Sequence, residues 1–273
     1  MTDPPAAAAT YEQFLAAITT GSSEVASAGS PEVAPAGPAG QLPSWLHQLL
    51  MTLFDGYAGY DAAAAARWGR RIFDELHRTG SLLPLAAVHD WQARTVVPMM
   101  RQACSPAAGE PDELVLDLQR LHARAATGER FSDEHWLAAL EPALRELYRH
   151  AYDYAGAHAT AHASASAYAS ANNFSPAGAI TFADSYAELS TTANQQSFAE
   201  SNAGANAAVL AAAYASHDAP AYAETYPFAL AQACAHAVAN TADPASDTSQ
   251  ARRRQAACAR LADGLADSLA RLG

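Results

Sequence analysis

The chain has 273 residues and a formal net charge of −12, and half of its residues are hydrophobic, with alanine making up much of that half. Such a balance excludes nucleic-acid binding driven by phosphate neutralisation, because Arg252-Arg253-Arg254 is too small a cluster to offset it. It also disfavours an anionic membrane surface, and no apolar run is long enough for a membrane span.

There is no lysine, and all 16 basic residues are arginine. With the alanine content, this reads as a GC-rich bacterial genome rather than a functional signal. The start of the chain, with Asp3 and no basic segment, does not read as a signal peptide. Cys104, Cys234 and Cys258 are far apart and odd in number, so each reads as a small buried hydrophobe in a reducing cytoplasm. Length allows one large domain or two small ones. Alanine is the strongest helix former, and an alanine core needs close backbone approach, so helix packed on helix is expected.

Residues 1–40 are rich in Pro, Ala, Gly and Ser and read as a flexible arm. One short helix is expected inside it, where Thr10 and Gln13 form a capping box. From residue 41 the pattern is helical. Ser44 caps a helix carrying Trp45, Leu49, Leu50 and Leu53 and ending near Gly56. A second runs from about Asp61 to Thr79, with Trp68, Ile72, Phe73 and Leu76 as its stripe and Gly80 as its stop. A third covers about Leu83 to Cys104, where Pro98 should kink or end it. A fourth starts at Pro111, carries Leu114, Leu118, Leu121 and Ala125, and stops at Gly128.

Ser132 caps a fifth helix, favoured by Asp133 and Glu134. It is expected to continue to Asn172, bent at Pro142. A sixth, in one or two pieces, covers about Pro176 to Ser216. A seventh runs from about Ala219 to Thr241 with a kink at Pro227. Asp247 caps the last, which carries Leu261, Leu265, Leu269 and Leu272. No hairpin or 20–50-residue repeat is present. The expected fold is an all-α bundle of about seven or eight helices with no sheet. Residues 41–273 form its single domain, with a Trp/Leu-cored part over 41–130 and long Ala/His/Tyr-rich helices over 131–273.

The two parts differ sharply. All four tryptophans lie in the first half, whereas eight of eleven tyrosines fall between Tyr148 and Tyr226. No arginine occurs from 150 to 251, a stretch that holds eight acidic residues and many Asn and Gln.

Within it, alanine takes every second position from Ala155 to Ala171. As a strand this segment would have almost nothing to bury, so it reads as a helix. Four-residue spacing then forms a row of Glu146, His150, Tyr154, His158, His162, Ser166 and Ser170. The row drifts by about 40° per step, so adjacent members share a face but its ends do not.

The leading functional expectation is a small-molecule enzyme, in a setting such as bacterial specialised metabolism, with a pocket between helices. Its chemistry would be elimination, cyclisation or hydrolysis by proton transfer, because imidazole titrates near neutrality. His158 would be the base, His162 or Tyr154 the acid, and Asp184 the orienter. His150, Arg149, Tyr186, Asn194, Asn202 and His236 would line the substrate site, and no cofactor is called for. Arg145 and Arg149, one turn apart, suit an anionic group. The alternative is a non-catalytic ligand-binding or partner subunit, joined to another protein or a second copy through its Ala/Ser/Tyr-rich helices.

A third reading is a His-liganded metal bundle on His158-x-x-x-His162. It lacks the glutamate of HExxH and any paired Glu-x-x-His motif, and its further ligands would come from His150, Asp184, His217 or His236. No GxSxG elbow, P-loop or GxGxxG is present, so nucleotide-dependent chemistry is not expected.

Overall fold

The computed structural model describes residues 10–20, 42, 44–79, 85–104, 113–152, 154–241 and 248–271. Among these, every regular element is helical, and twelve α-helices form an all-α bundle, more than the seven or eight expected. They are α1 (Tyr11–Thr20), α2 (Ser44–Tyr60), α3 (Ala62–Arg78), α4 (Leu85–Trp91), α5 (Val97–Cys104), α6 (Glu113–Ala126), α7 (Asp133–Ala151), α8 (Tyr154–Ala171), α9 (Pro176–Ser216), α10 (Ala219–Ala223), α11 (Pro227–Asn240) and α12 (Gln250–Arg271). Among the described residues, no helix is long and apolar enough to cross a membrane. The expected signals at Gly80, Leu83, Pro111 and Asp247 lie outside the described residues.

Capping chemistry starts the helices where the sequence places it. Gln13 Oε1 accepts from Thr10 N–H at 2.9 Å while Thr10 Oγ1 accepts from Gln13 N–H at 3.3 Å, the reciprocal box before α1. Asp61, Ser132 and Ser175 accept first-turn N–H groups of α3, α7 and α9. Ser249 does the same for α12, accepting from Arg252 N–H at 3.2 Å. Far from trailing, α1 docks on α2 and α3, burying Phe14 and Ile18 in the main core.

The core gathers around α12, which packs on α2, α3, α4 and α11. Two tryptophans fix its position. Trp68 donates its indole N–H to the Ala262 carbonyl at 2.7 Å, and Trp91 donates to Leu261 at 2.9 Å. Both indoles are buried, so these bonds remove a desolvation cost and set the height of α12 against α3 and α4.

The structure corrects several element boundaries, each for a physical reason. In place of one continuous helix, a π-helical turn at Gln92–Val96 joins α4 to α5, with Val97 N–H donating to the Gln92 carbonyl. Pro98 has no N–H for the carbonyl four residues back, and the wider turn takes up that mismatch. The first core helix does not stop at Gly56 but runs to Tyr60. A side chain at Gly56 would lie 2.5 Å from the Cys258 Cβ, so this glycine permits contact with α12 instead of ending α2. Pro227 begins α11 rather than kinking a helix from 219 to 241, because Tyr226 before it sits in the left-handed region with φ 52. The 176–216 segment is a single helix of 41 residues, about 60 Å long.

The largest correction concerns the helix expected from Ser132 to Asn172. It breaks after Ala151, where Tyr152 turns extended with φ −90 and ψ 94. The four-residue row is therefore cut between His150 and Tyr154. Amides from other helices satisfy the carbonyls exposed by the break. Asn240 Nδ2 donates to His150 and Ala151 at 2.9 and 3.1 Å, and Gln195 Nε2 donates to Tyr152.

Gly264 offers a direct test of the close packing. A Cβ there would lie 2.1 Å from Thr95 Oγ1 and 2.7 Å from Thr95 Cβ, in the π-helical turn. Gly264→Ala is expected to lower stability by about 1–3 kcal/mol in urea denaturation, the overpacking cost exceeding the gain in helix propensity. A variant as stable as the parent would show that this contact is slack.

Candidate functional site

The break at Tyr152 divides α9 into two halves. Its C-terminal half packs on α7 and contributes Ala199, Ala203, Ala207, Leu210 and Tyr214 to the main core. Its N-terminal half pairs with α8, the turn at Asn172–Ser175 making the two antiparallel. Ala165, Ala169, Ala183 and Ala187 are buried along this seam but lie outside the main core cluster. Thr191 is fully buried beside them and returns its hydroxyl proton to the Ala187 carbonyl. Small side chains let the two backbones approach closely, so the α8–α9 hairpin is held by shape rather than by large apolar groups.

On this hairpin the structure brings together three of the expected site residues. His162 Nε2 lies 3.1 Å from Asp184 Oδ1 across the seam. The His158 ring stacks over His162 at 6.5 Å between centroids, one turn away. A carboxylate in this position can orient an imidazole. The pair faces outward: the two side chains are 37% and 65% exposed. Two helices alone do not enclose a pocket.

The same hairpin carries a second feature. Phe182, Tyr186 and Leu189 fall at i, i+4 and i+7 on one flank of α9. Phe182 stacks with Tyr186 at 6.1 Å, and Tyr168 and Phe174 lie 5.8 and 5.4 Å from it. Leu189 is 82% exposed and Tyr168 58%; Phe174 and Tyr186 are also exposed. Asp184 and Glu188 project from the opposite flank, at about 100° per residue, so the aromatic stripe carries no charge.

The remaining candidates do not converge on His158. The side chains of Tyr154 and Asn194 lie outside the described residues. Arg149 pairs with Glu146 at 2.6 Å and approaches Glu200 at 3.8 Å, while Arg145 pairs with Glu141 at 2.6 Å. His150 and Asn202 are half-buried on α7 and α9. Tyr186 belongs to the aromatic stripe. His217 forms the left-handed C-cap of α9, with φ 53. His236 lies on α11 in a separate cleft of about 240 Å³ with Asp55, Arg254 and Cys258. Among the described residues, no three His, Cys, Asp or Glu side chains converge as a metal-binding group.

Sequence reasoning missed a buried aromatic cluster at the centre of the bundle. His89 on α4 and His122 on α6 place their Nδ1 atoms 3.0 Å apart, one donating and the other accepting. His89 stacks flat on Trp136 at 5.3 Å, and Tyr214 contacts both imidazoles and Trp136. Tyr222 continues the stack, between Tyr214 and Trp45. Among the described residues, His89 Nε2 and the Trp136 indole N–H have no hydrogen-bond partner. A usable signal was present: His122 lies four residues after Leu118, on the inward stripe of its helix.

Burial holds both imidazoles neutral. It pushes His89 down to about 3, with nearby His217 adding to the effect, and His122 well below its ordinary range, with His89 adding. The unfolded chain takes up these protons near pH 6.5, whereas the folded chain resists them, so the unfolded state binds more protons as the pH falls. Stability is therefore complete above pH 6.5 and is expected to drop by about 1 kcal/mol per pH unit per histidine on acidification. Urea denaturation between pH 7 and about 4 measures this slope. Replacing either histidine with glutamine should roughly halve it, whatever happens to absolute stability; an unchanged slope would assign acid lability to other groups. Against this geometry, no family model, curated protein or solved structure matches the chain.

Proposed function

We propose that the chain is a docking subunit that self-associates through the α8–α9 hairpin. The observation that carries this reading is the uncharged stripe of exposed Tyr168, Phe174, Tyr186 and Leu189 around a half-buried Phe182. Contiguous apolar patches of this kind mark interaction surfaces, and Tyr and Phe are enriched in interface cores. A second copy suits the stripe. Asp184 and Glu188 lie on the opposite flank, so two copies of an acidic chain meet there without opposing like charges at the contact.

The 18 residues of α8 span about 27 Å, and two helices are about 20 Å across. Two such faces, layered as a four-helix bundle, project about 540 Å² per partner, the size of a small interface rather than the ~800 Å² of a standard one. Placing the dimer in the cytoplasm belongs to the same proposal and is supported by the free cysteines.

Light scattering coupled to size exclusion tests the reading on the full chain. The parent is expected to be a dimer at micromolar concentration, and Leu189→Asp with Tyr186→Asp is expected to be a monomer that keeps the parent's helical circular-dichroism spectrum. These side chains are exposed in the single chain, so only association should suffer, by at least about tenfold. A monomeric parent, or a dimer indifferent to the changes, overturns the proposal.

A second reading is favoured by the His162–Asp184 contact. It is a proton-transfer enzyme of lyase or hydrolase type, with His158 as base, His162 or Tyr154 as acid and Asp184 as orienter, and with no cofactor. His158→Ala and Asp184→Asn chains, incubated beside the parent with a metabolite extract of the source cell and compared by mass spectrometry, separate the two readings. Consumption of one compound by the parent alone supports catalysis, and identical extracts remove it.

A further inference from the structure

We propose that the cleft between α4, α6 and α12, on the side of the bundle built from the main core, binds a small carboxylate with an apolar body. The site is independent of the hairpin. Its volume is about 390 Å³, at the small end of the range of small-molecule sites, whereas the His236 cleft falls below that range.

Its polar end is pre-organised. Asp90, only 17% exposed, accepts from Arg94 Nε at 2.8 Å through one oxygen. Through the other it accepts from Arg271 Nε and Nη2 at 2.8 and 2.6 Å. Arg271 Nη2 also donates to the fully buried Ser268 hydroxyl at 2.9 Å. Two guanidiniums thus share one carboxylate, which leaves a local charge of +1 in a chain whose net charge is −12. Both Nη groups of Arg94 and Nη1 of Arg271 stand outside this network as donors.

The rest of the cleft sets the ligand class. Ala123 and Ala126 of α6 and Ala86 of α4 form an apolar wall. Gln119 Nε2 donates to the Ala93 carbonyl at 2.9 Å, which fixes this side chain at the edge of the cleft. A guanidinium fork matches a carboxylate, and a single positive excess matches a monoanion. Inorganic phosphate would leave the alanine wall uncovered. Arg94 sits inside the π-helical turn, a feature that recurs at functional sites.

Calorimetric titration of the full chain with benzoate, benzyl alcohol and inorganic phosphate tests the proposal. Benzoate supplies charge and apolar body together, and each of the others supplies one of the two. Saturable binding of benzoate alone is expected. Arg94→Gln with Arg271→Gln should weaken it at least tenfold. Ala123→Phe should do the same by filling the cleft from an exposed position without altering charge, and circular dichroism verifies that both variants fold. Absence of saturable benzoate binding, equal binding of phosphate or benzyl alcohol, or binding that survives both variants overturns it.

Discussion

Three carbonyls at the end of α7 organise the C-terminal half of this protein. A helix that stops in a packed interior leaves its last C=O groups unpaired, and each would cost free energy if left dry. Here Asn240 of α11 and Gln195 of α9 supply the donors. Those bonds tie α7, α9 and α11 together and let the chain turn at Tyr152. Beyond the turn, α8 and the N-terminal half of α9 leave the main core, whereas the rest of α9, α11 and α12 return to it. The His158–His162–Asp184 group and the aromatic stripe are exposed because this junction directs α8 away from the bundle.

Close approach through small residues is the second organising feature. Gly56 lets α2 meet Cys258, and Gly264 lets α12 meet Thr95 in the π-helical turn. In the hairpin, buried alanines do the same work without large side chains. The two halves of the protein thus use different means. The N-terminal helices lock α12 with Trp68 and Trp91 and surround a dry His89–His122 pair. The hairpin relies on a narrow alanine seam and keeps its large aromatic groups outside.

This division separates three kinds of polar group. The buried imidazoles are shielded from solvent and act on stability. The His162–Asp184 pair is accessible but lacks walls. In the Asp90–Arg94–Arg271 network a part-buried carboxylate holds two exposed guanidiniums beside a cleft, which gives a small anionic ligand both charge and access. Burial alone therefore does not rank these sites; access, charge balance and available volume decide between them.

Helix propensity, capping side chains and four-residue apolar stripes were legible in the chain itself. Thr10, Asp61, Ser132 and Ser175 start helices by local bonds, and Trp68, Ile72 and Leu76 share one face because periodicity puts them there. The His158–His162 stack was legible for the same reason, since it depends only on spacing within one helix. The end of α7 was not, because no local breaker stands at Tyr152 and its carbonyls are satisfied from residues 43 and about 90 positions away. Likewise, His89 meets His122 and Arg271 meets Asp90 only through packing. Sequence alone determined that the chain is a helical bundle with a polar row in its alanine-rich segment. Tertiary structure decided which polar groups are buried, which are exposed and which line a cleft, because hydrogen-bond satisfaction and close contact between distant helices depend on partners that no local pattern specifies.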